Sequence, residues 1–164
     1  MSEKYNKDIE KSFEILERGI FLTTLHNGRL NTMTISWGAA GYIWNKPVFI
    51  VLVRGSRHTH KLLENSGEFT ISVPYEDMPK ELGVCGTQSG RDIDKFKECN
   101  LKTFKSQKID TPAIAVKGVH YECMNLYKTN MTFDNLDLAV KQQWYKDGDL
   151  HTIYIAEIVN TAFL

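Results

Sequence analysis

"GIFLTTLHNGRLNTMTISWGAAG", residues 19–41, is the stretch whose reading decides the fold. Within it, "IFLTTL" (20–25) and "NTMTISWG" (31–38) are rich in β-branched and aromatic residues, which suit a pleated, half-buried surface. Between them, "HNGR" (26–29) carries Asn-Gly, the pair that tolerates the positive φ angles of a tight hairpin. Two antiparallel strands follow from this. Outward from them, "PVFIVLVR" (47–54) is apolar almost throughout and predicts a buried strand. "EFTISVP" (68–74) is another, closed by Pro74. "AIAVKGVHYECMNLYKTNM" (113–131) supplies one or two strands, and "HTIYIAEIVNTAF" (151–163) alternates into a last one.

Helices interrupt these strands. Residues 8–18 place Ile9, Phe13 and Leu16 at helical spacing before Gly19. "HTHKLLENSG" (58–67) predicts a short helix with Ser56 or Thr59 as its cap and Gly67 as its stop. Residues 77–90 read as a short helix and an irregular loop. Residues 91–100 read as a helix with Ile93 and Phe96 facing inward, and 133–149 as a polar excursion with a helical turn. Strands dominate and do not alternate strictly with helices. The expectation is one mainly β domain over residues 1–164, an antiparallel barrel with peripheral short helices.

Composition bounds the function. The 164 residues are 42% hydrophobic and 24% charged, with 20 Lys+Arg against 20 Asp+Glu. Zero formal charge removes any general electrostatic case for nucleic acid or an anionic membrane. No apolar run approaches a membrane span, and the polar start has no secretory core, so a cytoplasmic protein is expected. Cys85, Cys99 and Cys123 are odd in number and lack CxxC spacing, which predicts free thiols rather than disulfides or zinc. The five histidines make no metal set: His58 and His60 are two apart, which does not place them together on a helix.

Local chemistry is concentrated in three places. Alternation in 31–38 sends Thr32, Thr34 and Ser36 to one face and Met33, Ile35 and Trp37 to the other. That hydroxyl face is either solvated or a set of hydrogen-bonding groups for a polar heterocycle packed beside Trp37. "RGSRHTHK" (54–61) leaves a strand and opens a helix. Arg54 and Arg57 offer guanidinium forks, Ser56 and Thr59 hydroxyls, and the helix start free amides, a set suited to phosphate. The alternative is an ordinary capped helix with two exposed arginines. "CGTQSGRDIDKF" (85–96) has the same character: Gly86 and Gly90 allow close backbone approach, and Ser89, Arg91 and Lys95 could converge on a ligand. It equally suits an Asp-capped surface helix.

"NTMTISWG", "RGSRHTHKLLENSGEFTISVP", "GTQSGRDIDKF" and "GDLHTIYIAEI" occur in an order that resembles the flavin reductase-like, flavoredoxin-related proteins, from about Gly19 to Ala162. The resemblance implies a Greek-key type, FMN-binding split β-barrel, paired as a homodimer with the flavin near the interface. It implies that Thr32, Met33, Thr34, Ile35, Ser36 and Trp37 line the isoalloxazine ring. Arg54, Ser56, Arg57 and Thr59 would hold the ribityl-phosphate. Ser89, Gly90, Arg91 and Lys95 would complete the pocket, Lys95 reaching toward flavin or phosphate. His151 matches a histidine on the nicotinamide side of the flavin, although Leu150 is inserted in the "GDH" stretch that carries it.

The function so implied is an NAD(P)H-dependent FMN reductase, with NADH or NADPH as a transient donor and no assigned catalytic acid or nucleophile. The alternatives are a flavoredoxin-like electron carrier with a redox protein partner, and a split-barrel binding or sensor domain for another ligand such as haem.

Overall fold

The computed structural model describes residues 6–164, with side chains from Glu10 onward. β1 (Ile20–His26) and β2 (Arg29–Ile35) form the expected hairpin, in register from Ile20 opposite Ile35 to His26 opposite Arg29. Its turn residues Asn27 and Gly28 have φ of 49° and 72°, the paired positive values of a two-residue type I′ turn. A second hairpin joins β3 (Gly38–Ile43) to β4 (Lys46–Arg54) through Trp44 and Asn45, at φ 52° and 59°. Neither that turn nor β3 was expected. "GAAG" has weak strand propensity, yet it pairs along its whole length with β4.

The chain continues through α2 (His58–Ser66), β5 (Glu68–Pro74), α3 (Pro79–Thr87), α4 (Lys95–Glu98) and a short ribbon of β6 (Thr103–Phe104) and β7 (Ala113–Ile114). It ends with β8 (Gly118–Asn130), α5 (Leu138–Trp144) and β9 (His151–Phe163). Seven strands make one antiparallel sheet in the order β2-β1-β5-β8-β9-β4-β3. The two edge strands, β2 and β3, are also sequence neighbours, separated only by Ser36 and Trp37. Three peptide steps reach at most about 11 Å. The sheet must therefore curl until its edges almost meet, giving the barrel expected from the sequence, with its split at residues 36–37.

Leu22, Ile35, Val51, Ile71, Tyr121 and Tyr154 fill the interior. Alternation on β1 sends Ile20 and Leu22 inward and Phe21 outward, where Leu82, Cys85 and Ile114 bury it. The outer face of the β1–β2 hairpin is thus roofed by α3, α4 and the ribbon.

Three local readings need correction. α1 (Asn6–Leu16) stops before the expected 18, because Arg18 and Gly19 donate backbone N–H groups to Ile15 and Leu16 in turns. Leu16 is buried, Phe13 is 41% exposed, and the Ile9 side chain lies outside the described residues. The helix expected over 91–100 is only α4: the Asp94 carboxylate accepts from the Phe96 and Lys97 amides and starts the helix there, while Asp92 N–H and Ile93 N–H turn back to Ser89 O. At the start of α2 the cap position is Arg57, with no side-chain cap bond, so neither Ser56 nor Thr59 caps it. Among the described residues no helix is long and apolar enough to cross a membrane.

Candidate functional site

The seam between β2 and β3 opens into a cavity of about 270 Å³. Its walls are Met33, Thr34, Ile35, Ser36 and Trp37 from the seam, Leu52 and Arg54 from β4, Arg57, Trp144 from α5, and His151 from β9. Trp37 packs edge-on to Trp144 at 5.0 Å and tilted against His151 at 5.2 Å between ring centroids. Two indoles and an imidazole thus form one aromatic end.

A second cavity of about 250 Å³ shares Met33 and Arg57 with the first. Ser56, Arg57, His58 and Thr59 form one side of it; Thr87, Gln88, Ser89, Gly90, Arg91 and Lys95 form the other. The two basic junctions of the sequence therefore face each other, and they are bonded together. Arg57 Nη1 donates to Gly86 O at 2.7 Å, and Arg91 Nη2 donates to Ser56 O at 3.1 Å. Gly90 is required for this approach: a Cβ there would fall 2.0 Å from Asn31 Oδ1. Neither Arg57 nor Arg91 is in an ion pair among the described residues, so positive charge remains available for an anion.

Other predicted residues are committed to the protein itself. Thr59 is buried and accepts from Asn31 Nδ2 at 2.8 Å. The Thr32 hydroxyl donates to Leu22 O and that of Thr34 to Leu82 O, so these two hydroxyls are spent within the protein, while Ser36 on the same face is exposed. Thr32 lies behind the cavity walls, and its carbonyl accepts from Lys95 Nζ at 3.0 Å. Lys95 also donates to Cys85 O at 2.8 Å and is only 4% exposed; burial holds its pKa below the ordinary lysine value. Lys95 lines the cationic cavity, but its first task is to tie β2 to the end of α3. The Cys85 thiol is pushed up to about 12 by burial, which makes it a packed, protonated group.

Arg54 serves the polar excursion. Its guanidinium donates to Asp149 O at 2.7 Å and Trp144 O at 2.8 Å and pairs with Asp147 at 3.6 Å. Asp149 in turn accepts from the Ser56 amide at 3.1 Å and the Ser56 hydroxyl at 2.6 Å. These contacts press residues 144–149 against the seam, and so bring Trp144 to Trp37. His151 is buried, and its Nδ1 shares a 2.8 Å hydrogen bond with Tyr145 Oη. Burial first, then Arg54 and Arg57, lowers its pKa to about 4, so the imidazole is neutral at pH 7. Leu150 lies in the short link before it, where its carbonyl accepts from Gly55 N–H.

The sequence reading missed Trp144, Leu52, Asp149 and His58 as part of this constellation. Only Trp144 carried a signal, as a large aromatic in an otherwise polar stretch; the others depend on long-range pairing.

A sequence model described as the flavin reductase-like domain matches residues 16–163. The chain is 28% identical over 130 residues to an uncharacterized protein of Archaeoglobus fulgidus and 26% identical over 135 residues to one of Pyrococcus abyssi. The matches cover 79% and 82% of this chain and 63% and 66% of those relatives, so the chain spans less than two-thirds of their length. In structure it is similar to a flavoredoxin from Methanosarcina acetivorans, with a TM-score of 0.68, 22% identity, and 89% of this chain and 68% of the other covered. That likeness is one of fold.

Proposed function

The chain belongs to the flavin reductase-like domain family, and from that premise we propose that it binds FMN across the two joined cavities and acts as an NAD(P)H-dependent flavin reductase. One observation carries this reading: an aromatic cavity and a cationic cavity meet at Met33 and Arg57, which matches an elongated ligand with a flat ring at one end and a phosphate at the other. Arg57, Arg91 and Ser89 would hold the phosphate, by charge-assisted bonds that Arg geometry favours. The backbone of residues 33–37 would line the ring, with Trp37 and Trp144 closing its apolar side. Arg54 and Ser56 belong to the same wall through Asp149, as positioning residues.

Bound FMN would supply hydride acceptance and electron transfer, chemistry that belongs to the cofactor. The protein's own contribution is to orient two rings and to exclude water. His151, neutral and buried, presents an imidazole without a charge, which suits the docking of a nicotinamide and requires no proton transfer. The test is direct: the purified chain should be yellow or become so with added FMN, and NADH or NADPH should bleach it anaerobically in stopped flow. Retained FMN that neither nicotinamide bleaches would replace the reductase with an electron carrier. The half-exposed Trp144 at the cavity mouth favours that second reading, since a partner protein could cover it.

Homodimer formation belongs to the same proposal. Trp44 and Tyr127 meet edge-on at 6.3 Å between centroids and are 57% and 49% exposed, and Tyr42, Met124 and Leu126 are exposed as well. A second copy that covers these side chains would bury apolar surface that monomers rarely leave bare. Light scattering should return twice the 18.8 kDa mass, and Trp44→Glu should return the single mass.

A further inference from the structure

Two thiols meet where α3 and α4 roof the β1–β2 hairpin. Cys85, on α3, is fully buried, and Cys99, where α4 ends, is partly buried. The two are hydrogen-bond partners of each other and share one apolar cluster with Phe21, Leu82 and Ile114. Both are free, like Cys123, which is sealed in the barrel core. Cys99 also lines a cavity of about 410 Å³, beside Met78, Leu101 and the exposed Lys80 and Lys102. That cavity shares no residue with either cavity of the candidate site.

The pair straddles Lys95. Lys95 Nζ donates to Cys85 O at 2.8 Å, and Cys99 N–H donates to Lys95 O at 3.0 Å. Gly86, next to Cys85, offers its carbonyl to Arg57. A bond between the two sulfurs would therefore close residues 85–99 into a loop around Lys95, at the wall of the cationic cavity. Burial is the main cause that keeps both thiols protonated. At Cys99 the carboxylates of Glu81 and Glu98 add to it, against the Cys85 hydrogen bond and Lys80. At Cys85 the neighbouring Cys99 and Glu81 add to it, against Lys95. Protonated thiols are poor nucleophiles, so the pair rests reduced and reacts slowly at pH 7.

We propose that Cys85 and Cys99 are an oxidation site: hydrogen peroxide entering the cavity beside Cys99 converts the pair into a reversible intramolecular disulfide that pins α3 to the end of α4. Cys99 Sγ attacks one peroxide oxygen; the O–O bond breaks, and the departing hydroxide takes the thiol proton as water. Cys85 Sγ then attacks the sulfur of the Cys99 sulfenic acid; the S–O bond breaks, and a second hydroxide leaves with the Cys85 proton as water. The two sulfurs together give up two electrons, and one peroxide is reduced to two waters. Cys99 is oxidised first because it borders the cavity, and the buried Cys85 resolves it. This chemistry is independent of the FMN reading.

The experiment treats the full chain with hydrogen peroxide, without flavin, and reads intact mass and non-reduced peptide digests. The expected product has lost two hydrogen atoms, joins the peptides of Cys85 and Cys99, leaves Cys123 free, and regains its starting mass with dithiothreitol. Its amides over 86–98 should exchange with deuterium more slowly than in the reduced chain. Closure should speed up by about tenfold for each pH unit between about 7 and about 9, as the thiols ionise. Cys99→Ser, at the cavity edge, should leave Cys85 unoxidised, and Cys85→Ser should stop with oxygen on Cys99. The wild-type map alone decides the question if a variant unfolds. Oxygen added to wild-type Cys99 with no link, chains joined to each other through Cys99, or thiols unchanged across that pH range would each overturn the site.

Discussion

Arg57 is the side chain at which the two cavities join, and its one fixed bond, to Gly86 O, leaves the rest of its fork free. Arg57→Ala should weaken FMN affinity by about tenfold to a hundredfold, the range for a hydrogen bond to a charged group, as read by equilibrium dialysis. Lys95 makes a different prediction. Lys95→Met would leave the carbonyls of Thr32 and Cys85 buried and unpaired, so unfolding free energy should fall by about 2–4 kcal/mol, measured by urea titration without flavin. At Gly90, an added methyl would push on Asn31 and break its bond to Thr59; Gly90→Ala should lower both the thermal midpoint and FMN affinity. The basic and hydroxyl residues of both junctions were legible as a pair of polar loops, because their types advertise anion chemistry. Which of them are free was not legible. Thr59 and Thr34 are consumed by Asn31 and Leu82, partners 28 and 48 residues away in sequence.

Among the elements, the β1–β2 hairpin was readable from Asn27-Gly28 because a turn of this type needs residues that tolerate positive φ. The β3–β4 hairpin uses the same geometry with Trp44-Asn45, and Trp gives no such signal, so that turn is imposed by pairing on both sides rather than by local preference. The 144–149 segment shows the same dependence. Its position rests on Arg54 and on Ser56–Asp149, groups from opposite halves of the chain. Arg54→Ala should release it: backbone amides near 144–150 should exchange faster with deuterium, and Trp fluorescence should change as Trp144 leaves Trp37, while the barrel strands keep their protection. Unchanged exchange there would mean that the segment is held by something other than this arginine.

For the whole molecule, acid is the informative stress. His151 and His120 both have pKa values lowered from 6.5 to about 4, in each case chiefly by burial. The unfolded chain therefore takes up protons that the folded chain refuses. Their contribution to stability is fully present above about pH 6.5 and is lost as pH falls toward 4. Urea midpoints should drop between pH 7 and pH 5, and His120→Phe should flatten part of that drop; an unaltered slope would remove His120 from the account. Closure of the barrel has a topological consequence as well. Ser36 and Trp37 are the sole covalent link between the sheet's two margins at the split, so a protease nick there would turn a ring into a ribbon. The two margins, which are strand edges already, would then be free to spread apart and offer their amides and carbonyls to other molecules, and cleaved protein should precipitate as ladders of joined sheets rather than persist as a nicked monomer.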